Sequence, residues 1–328
     1  MENKKKLALI IGISGQDGSY LAEFLIEKGY KVVGIVRRHS VAENQSERIE
    51  HIRKDIDLHY GDLTDLTSLM KIFHAYQFDE VYNLGAMSNV GVSFKIPLYT
   101  QEANYLGFIN LLEVIRETQS KEIKIYQASS SEMFGNCVDE DGFQRETTPM
   151  IPVSPYGISK LSAHLYANHY RRAYKMNIWC GILFNHESPR RGTNFVTGKV
   201  AKGVAEIKLG LRDKIQLGTL DTYRDWGHSK DYVAVMYQML NETQPDDFIC
   251  CTGITNSVRV LCQVAFERIG ISNYSDYIEI VDKYKRDEEL NYLRGCSDKL
   301  LKEINVSFDY DFKTMINEMV DYHIDKLS

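Results

Sequence analysis

Short apolar segments alternate with helical ones from residue 7 to about residue 185, and that alternation leaves few folds open. Segments 7–11, 31–36, 57–60, 80–84, 123–128 and 177–184 read as strands. Between them, 20–28 carries Leu21, Phe24 and Leu25 on one side and stops at Gly29, and 66–76 turns Leu69, Ile72 and Phe73 inward. A long helix is predicted over 102–118, and another opens with Ser154 as cap and Pro155 in its first position. Strand and helix in strict alternation call for a parallel sheet covered on both faces. Beyond Phe184 the pattern loosens, although 249–252 reads as a late strand returning to the first sheet. The expected organisation is therefore an α/β fold. A doubly wound parallel sheet fills residues 1–185, and a smaller, partly interleaved α/β unit fills 186–328.

The first strand ends in Gly12, Gly15 and Gly18, spaced G-x-x-G-x-x-G and enclosing Gln16 and Asp17. Glycines there let the backbone turn tightly and approach a pyrophosphate, while the following helix N-terminus adds partial positive charge. This context, strand then turn then helix, is what a dinucleotide fingerprint requires. The fold is thus expected to be Rossmann-type. At the end of the second strand, where an acid would hold the ribose of NAD, stand Arg37 and Arg38. Two arginines suit a 2′-phosphate, so NADP is the expected cofactor. Asp62, beside Leu63, follows the third strand and suits the adenine amino group; Leu84 and Ala86 end the fourth, near the nicotinamide ribose.

Tyr156 and Lys160 lie four residues apart and so share one helix face. The ammonium favours an ionised phenol, which then accepts a proton from a sugar alcohol. Ser130, at the end of the preceding strand, supplies a hydroxyl to orient that alcohol. Glu132, two residues on, is the group that a plain alcohol dehydrogenase does not need. Once a hexose is oxidised at C4, its C5 hydrogen is acidic. A carboxylate removes it and, now protonated, assists departure of the C6 hydroxyl. Hydride returned to C6 leaves the cofactor as it began. These residues imply a 4,6-dehydration. The alternative is a nucleotide-sugar 4-epimerase, which needs oxidation, rotation and re-reduction but no such acid.

Composition narrows the partners. Over 328 residues the formal net charge is −6, which argues against nucleic acid and anionic membranes as partners. None of the six cysteines forms C-x-x-C, so no metal is expected. The apolar stretch after Lys6 is too short for a signal core or a membrane span, and a cytoplasmic location is expected.

Several runs closely resemble the GDP-mannose 4,6-dehydratase family, a branch of the extended short-chain dehydrogenases/reductases. They are GQDGSYLAEF at 15–24, HYGDL at 59–63, QASSSEMFG at 127–135, SPYGISK at 154–160, LFNHESPRRG at 183–192 and RDWGH at 224–228. The resemblance implies a GDP-sugar substrate and a homodimer or homotetramer. It implies that Ser130 holds O4, Glu132 serves C5 and C6, Tyr156 is the O4 base, and Lys160 partners Tyr156 and the nicotinamide ribose. Asn185 would touch the substrate diphosphate, and His186 and Arg191 the cofactor. Val196, Lys199, Arg224, Arg286 and Glu289 would line the GDP pocket. Ser88, Asn89 and Gly91 would pass near the sugar. The small Gly91 leaves room beyond C6, as GDP-D-glycero-D-manno-heptose would need in place of GDP-D-mannose.

Overall fold

In this computed structural model, which describes residues 5–38, 47–284 and 288–328, the alternating segments form one seven-stranded sheet. Arg286 lies outside the described residues. Helix α1 (Gln16–Glu27) links strands β1 (Leu7–Ile11) and β2 (Lys31–Val36), a 3-10 turn at Glu47–Ile52 precedes β3 (Ile56–Tyr60), and α2 (Leu66–Ala75) leads to β4 (Glu80–Asn83). Next come α3 (Val90–Ser93), α4 (Pro97–Gln101), α5 (Gly107–Thr118), β5 (Lys124–Ser130), α6 (Pro155–Ala173) and β6 (Asn177–Leu183). The remainder runs β7 (Asn185–Glu187), α7 (Val196–Lys208), β8 (Ile215–Leu217), β9 (Tyr223–His228), α8 (Ser229–Glu242) and β10 (Asp247–Cys250). It closes with β11 (Thr255–Ser257), α9 (Val258–Arg268), β12 (Ile278–Ile280), α10 (Asp298–Glu303) and α11 (Phe312–Leu327).

Strand order in the large sheet is β10-β6-β5-β4-β1-β2-β3, and every pairing is parallel. Apart from the edge strand β3, the strands are largely buried on both faces, so most read as apolar runs rather than alternations. One face packs on α1 and α8 through Leu21, Leu25, Met236 and Leu240. The other packs on α2, α5 and α6 through Leu69, Phe73, Leu112, Ala163 and Ala167. A smaller C-terminal α/β domain has its own core, where Val200, Val204, Phe266, Met315 and Met319 join Ile215 and Trp226.

Two departures from the sequence expectation bear on the site. Helix α1 begins at Gln16 instead of residue 20, because its N-cap is Gly15 of the glycine loop itself. The long helix at 102–118 is broken: Glu102–Leu106 winds as a π-helix before α5. There Asn104 reaches out, bonding the backbone of Met87 in both senses and the Ser159 hydroxyl on α6. The wider turn ties the loop after β4 to the helix that carries Tyr156, in keeping with the placement of such bulges near functional sites. Among the described residues, no helix is long and apolar enough to cross a membrane.

Candidate active site

The chain order reverses between β1 and β4, and in open parallel sheets the crevice at such a point is where ligands bind. Here it widens into a cavity of about 1370 Å³. Single small-ligand pockets span roughly 300–1,000 Å³, so this one has space for two ligands side by side.

At one end lies the glycine loop. Gly12 has φ of 83°, and a Cβ there would stand 3.1 Å from the backbone of Leu84 and Gly85. A Cβ on Gly18 would fall 2.3 Å from the Gly12 carbonyl oxygen. No side chain caps α1, which leaves its first-turn N–H groups directed at the crevice. The residues therefore fit a dinucleotide: a backbone-lined cradle at an uncapped helix N-terminus suits a pyrophosphate. Asp62, Leu63, Leu84 and Ala86 line the same end. So does Arg48, which donates to the Ser14 carbonyl at 3.2 Å and which no sequence motif announced.

Gln16 and Asp17 line the cavity but also reach across to β7 and the segment after it. Gln16 donates to the His186 carbonyl at 3.0 Å and accepts from Ser188 at 2.8 Å. Asp17 pairs with His186 at 2.9 Å. Burial pushes the Asp17 carboxyl up, but the His186 charge and hydrogen bond outweigh it and leave it below its ordinary value. The same pair, against the opposing pull of burial, raises His186. His186 also contacts the Phe184 carbonyl at 2.7 Å and stacks on Tyr232.

At the centre, β5 ends in Ser130, whose hydroxyl accepts from the Glu132 amide at 3.2 Å. Glu132 is buried on the tight turn that follows. Ser154 caps α6 by accepting from the Gly157 amide at 3.0 Å, which fixes Tyr156 in the first turn. Gly157 permits the approach, since a Cβ there would stand 2.7 Å from the Glu132 carbonyl oxygen. Ser130 and Tyr156 both line the cavity, and the Ser130 hydroxyl favours the ionised phenol. Lys160 donates to the Ala128 carbonyl at 2.9 Å and sits 5.9 Å from the Tyr156 ring centre. Burial pushes the phenol up to about 12, the Ser130 hydrogen bond pulling the other way, and brings Lys160 down to about 8. The expectation that the Lys160 ammonium brings the phenol toward neutrality thus needs amending. Burial dominates, and the ammonium is directed at a carbonyl.

The far end is lined by Asn185, Val196, Lys199, Arg224 and Glu289, with Ser88, Asn89 and Gly91 along the wall between. Arg224 is buried, 3.6 Å from Glu289, and donates to the Tyr223 carbonyl at 2.9 Å. Arg191 pairs with Glu187 at 2.9 Å and lies over the Phe195 ring. Lys199 sits 3.4 Å above the ring of Tyr284, a cavity residue that the sequence reading missed. Among the predicted residues that the structure describes, Arg38 alone does not line the cavity.

Fold and site together define a short-chain dehydrogenase/reductase of the extended class. The sequence matches the family described as GDP-mannose 4,6 dehydratase over residues 9–319. It is 44% identical to GDP-mannose 4,6 dehydratase 1 of Arabidopsis thaliana, over 97% of this chain and 89% of that protein. To the human GDP-mannose 4,6 dehydratase it is 42% identical, over 98% and 92%. The chain belongs to the GDP-mannose 4,6-dehydratase family, and is a hydro-lyase.

Solved structures share the fold at lower identity. The Thermus thermophilus UDP-glucose 4-epimerase complex with NAD superposes with a TM-score of 0.84 at 23% identity, covering 97% of this chain and 98% of that one. DesIV, a dTDP-glucose 4,6-dehydratase from Streptomyces venezuelae with NAD bound, gives 0.85 at 20%, covering 97% of both. RMD from Pseudomonas aeruginosa, complexed with NADPH, gives 0.80 at 20%, covering 98% and 100%. These coenzymes correct the expectation of NADP. Chains of this fold hold NAD as well as NADPH, so the fold does not single out the phosphorylated form. Of the two arginines, Arg38 is exposed outside the cavity, whereas Arg37 lines it and donates to the Tyr99 hydroxyl.

Proposed function

We propose that this chain removes water from a GDP-manno sugar, GDP-D-mannose or GDP-D-glycero-D-manno-heptose, to give the GDP-4-keto-6-deoxy sugar. The observation that carries this reading is the burial of Glu132 next to Ser130 and Tyr156 in the wall of one large cavity. The dinucleotide lies at the glycine loop, in residues 1–185, and the GDP moiety lies against residues 186–328. Gly12, Gly15 and Gly18 take the pyrophosphate, Asp62 and Leu63 the adenine, and Leu84 and Ala86 the nicotinamide ribose with Lys160. His186 acts on this end through Asp17, and Arg191 lies beside it.

A nicotinamide dinucleotide held at the glycine loop would supply a hydride acceptor for C4 and a hydride donor for C6. The residues move the protons. Ser130 hydrogen-bonds O4 while Tyr156 takes its proton. Glu132 removes the C5 proton and delivers it to the departing C6 hydroxyl, which leaves as water. The resulting 5,6-double bond takes the hydride at C6 and a proton at C5, which balances the one that Tyr156 took from O4, and no net redox change remains. Asn185, Lys199, Arg224 and Glu289 hold the nucleotide and its diphosphate. Gly91 bears on the sugar: a Cβ there would meet only Asn89, at 3.5 Å, so the wall is open beside it. That space suits a seventh carbon.

The test is to supply either GDP sugar to the purified protein loaded with coenzyme. A 4-keto-6-deoxy product is expected without net growth of reduced nicotinamide. Steady growth of reduced nicotinamide would mark a dehydrogenase, and a sugar inverted at C4 an epimerase. Rates for the two sugars side by side decide between hexose and heptose.

A further inference from the structure

Helix α6 brings three polar side chains to β5, one turn apart: Tyr156 to Ser130, Lys160 to the Ala128 carbonyl, and His164 to Ser129. The first two belong to the site described above; His164 does not. Its Nδ1 lies 2.9 Å from the Ser129 hydroxyl, and its Nε2 lies 3.3 Å from Asp247 on β10. Asp247 is held in turn by Arg171 at 2.9 Å and Asn168 at 3.0 Å, both on α6. A polar row therefore crosses the sheet from β5 past β6 to β10 and returns to the helix it started from. Ser129 and His164 are buried, and the surroundings are apolar: Ile125, Ala163, Ala167 and Ile178.

Stability alone is a poor reason for such a row, because apolar residues of similar volume in its place are often neutral or stabilising. What a saturated buried network supplies is a single register. Here it fixes how far α6 lies along β5, and so where Tyr156 meets Ser130.

The same atoms suggest a metal site, since ligand atoms of His164, Cys180 and Asp247 lie within 4.8 Å of one another. Arg171 argues against it. Its guanidinium contacts Asp247 and lies 3.7 Å from the Cys180 sulfur, so a cation already stands among these donors. Burial also holds the Cys180 thiol well above its ordinary value, away from the thiolate that a metal needs.

We propose that His164 is a positioning residue for the dehydration: held between Ser129 and Asp247, it sets the contact of Tyr156 with Ser130. This rests on the function proposed above. A shift near 1 Å in a reacting group costs about 10²-fold in rate. The coenzyme-loaded, full-length His164→Ala enzyme is expected to lose about 10- to 100-fold in kcat, with KM for the GDP sugar within about twofold of the parent. His164→Gln, whose amide both accepts and donates, is expected to recover most of that loss. Ser129→Ala removes only the hydroxyl and is expected to lower kcat with little change in Tm, so the idea stays testable if His164→Ala folds poorly. The double variant is expected to be no slower than His164→Ala, because the two act as one unit. A lowered Tm with kcat unchanged, or a raised KM with kcat unchanged, would overturn the proposal. Loss of parental activity on adding a chelator would overturn it in favour of a metal. Failure of the parent enzyme to dehydrate any GDP sugar would instead sink the functional reading on which it stands.

Discussion

Glu132→Gln should abolish release of the 4-keto-6-deoxy sugar while leaving the first oxidation intact. The substitution keeps size and most hydrogen bonding but removes the proton acceptor for C5. General acid–base groups contribute about 10²- to 10⁴-fold, and Glu132 serves both in removing the C5 proton and in releasing the C6 hydroxyl. Steady-state dehydration should therefore fall by at least the upper end of that range. In a single turnover, however, Ser130 and Tyr156 still act at C4. Mixing the variant with substrate should give a burst of reduced nicotinamide, up to one equivalent per site, with no exchange of the C5 hydrogen in heavy water. Undiminished turnover would mean that Glu132 is a buried turn residue and that the chemistry is closer to an epimerase.

Tyr156→Phe should fail one step earlier. The ring remains to fill its place above α6, so GDP-sugar and coenzyme affinities should stay within a few fold. Without the phenol no group takes the O4 proton, and the rate should drop about 10²- to 10⁴-fold. No burst of reduced nicotinamide should appear, which separates this variant from Glu132→Gln. Turnover at the parental rate would refute the role of Tyr156. The parent has its own signature. Its phenol is pushed up to about 12 by burial, so cationic, oxidised coenzyme is expected to ease its ionisation and neutral, reduced coenzyme is not. A spectroscopic titration of tyrosinate in the two complexes measures that difference.

How far the sequence discloses the molecule depends on how local each feature is. The glycine loop, the Ser154 cap and the shared helix face of Tyr156 and Lys160 are set by neighbours in the chain, and periodicity and spacing expose them. Glu132 is legible for the same reason, lying two residues beyond Ser130. Arg48 is not, because only the fold carries the turn at Glu47–Ile52 up to Ser14. Tyr284 stands under Lys199 from 85 residues away. The Asp17–His186 pair joins residues 169 apart. A charged side chain after a strand is especially hard to read, since its long stem leaves the direction of the guanidinium open. Arg37 and Arg38 read alike as a phosphate clamp, yet one lines the cavity with a bond to Tyr99 and the other lies outside it. The π turn escaped for a different reason. Helical periodicity runs straight through 102–118, and only the demand of Asn104 for Met87 and Ser159 unwinds it.

On the proposed mechanism, oxidation at C4 and reduction at C6 occur within one binding event, with the water leaving between them. A crossover experiment tests this most directly. GDP sugar deuterated at C4 is mixed with undeuterated GDP sugar whose ring carries carbon-13, and the products are examined by mass spectrometry and NMR. Deuterium should appear at C6 of molecules lacking the carbon label, and of those alone. Deuterium lost to water, left on released coenzyme, or found on carbon-13 molecules would contradict the mechanism.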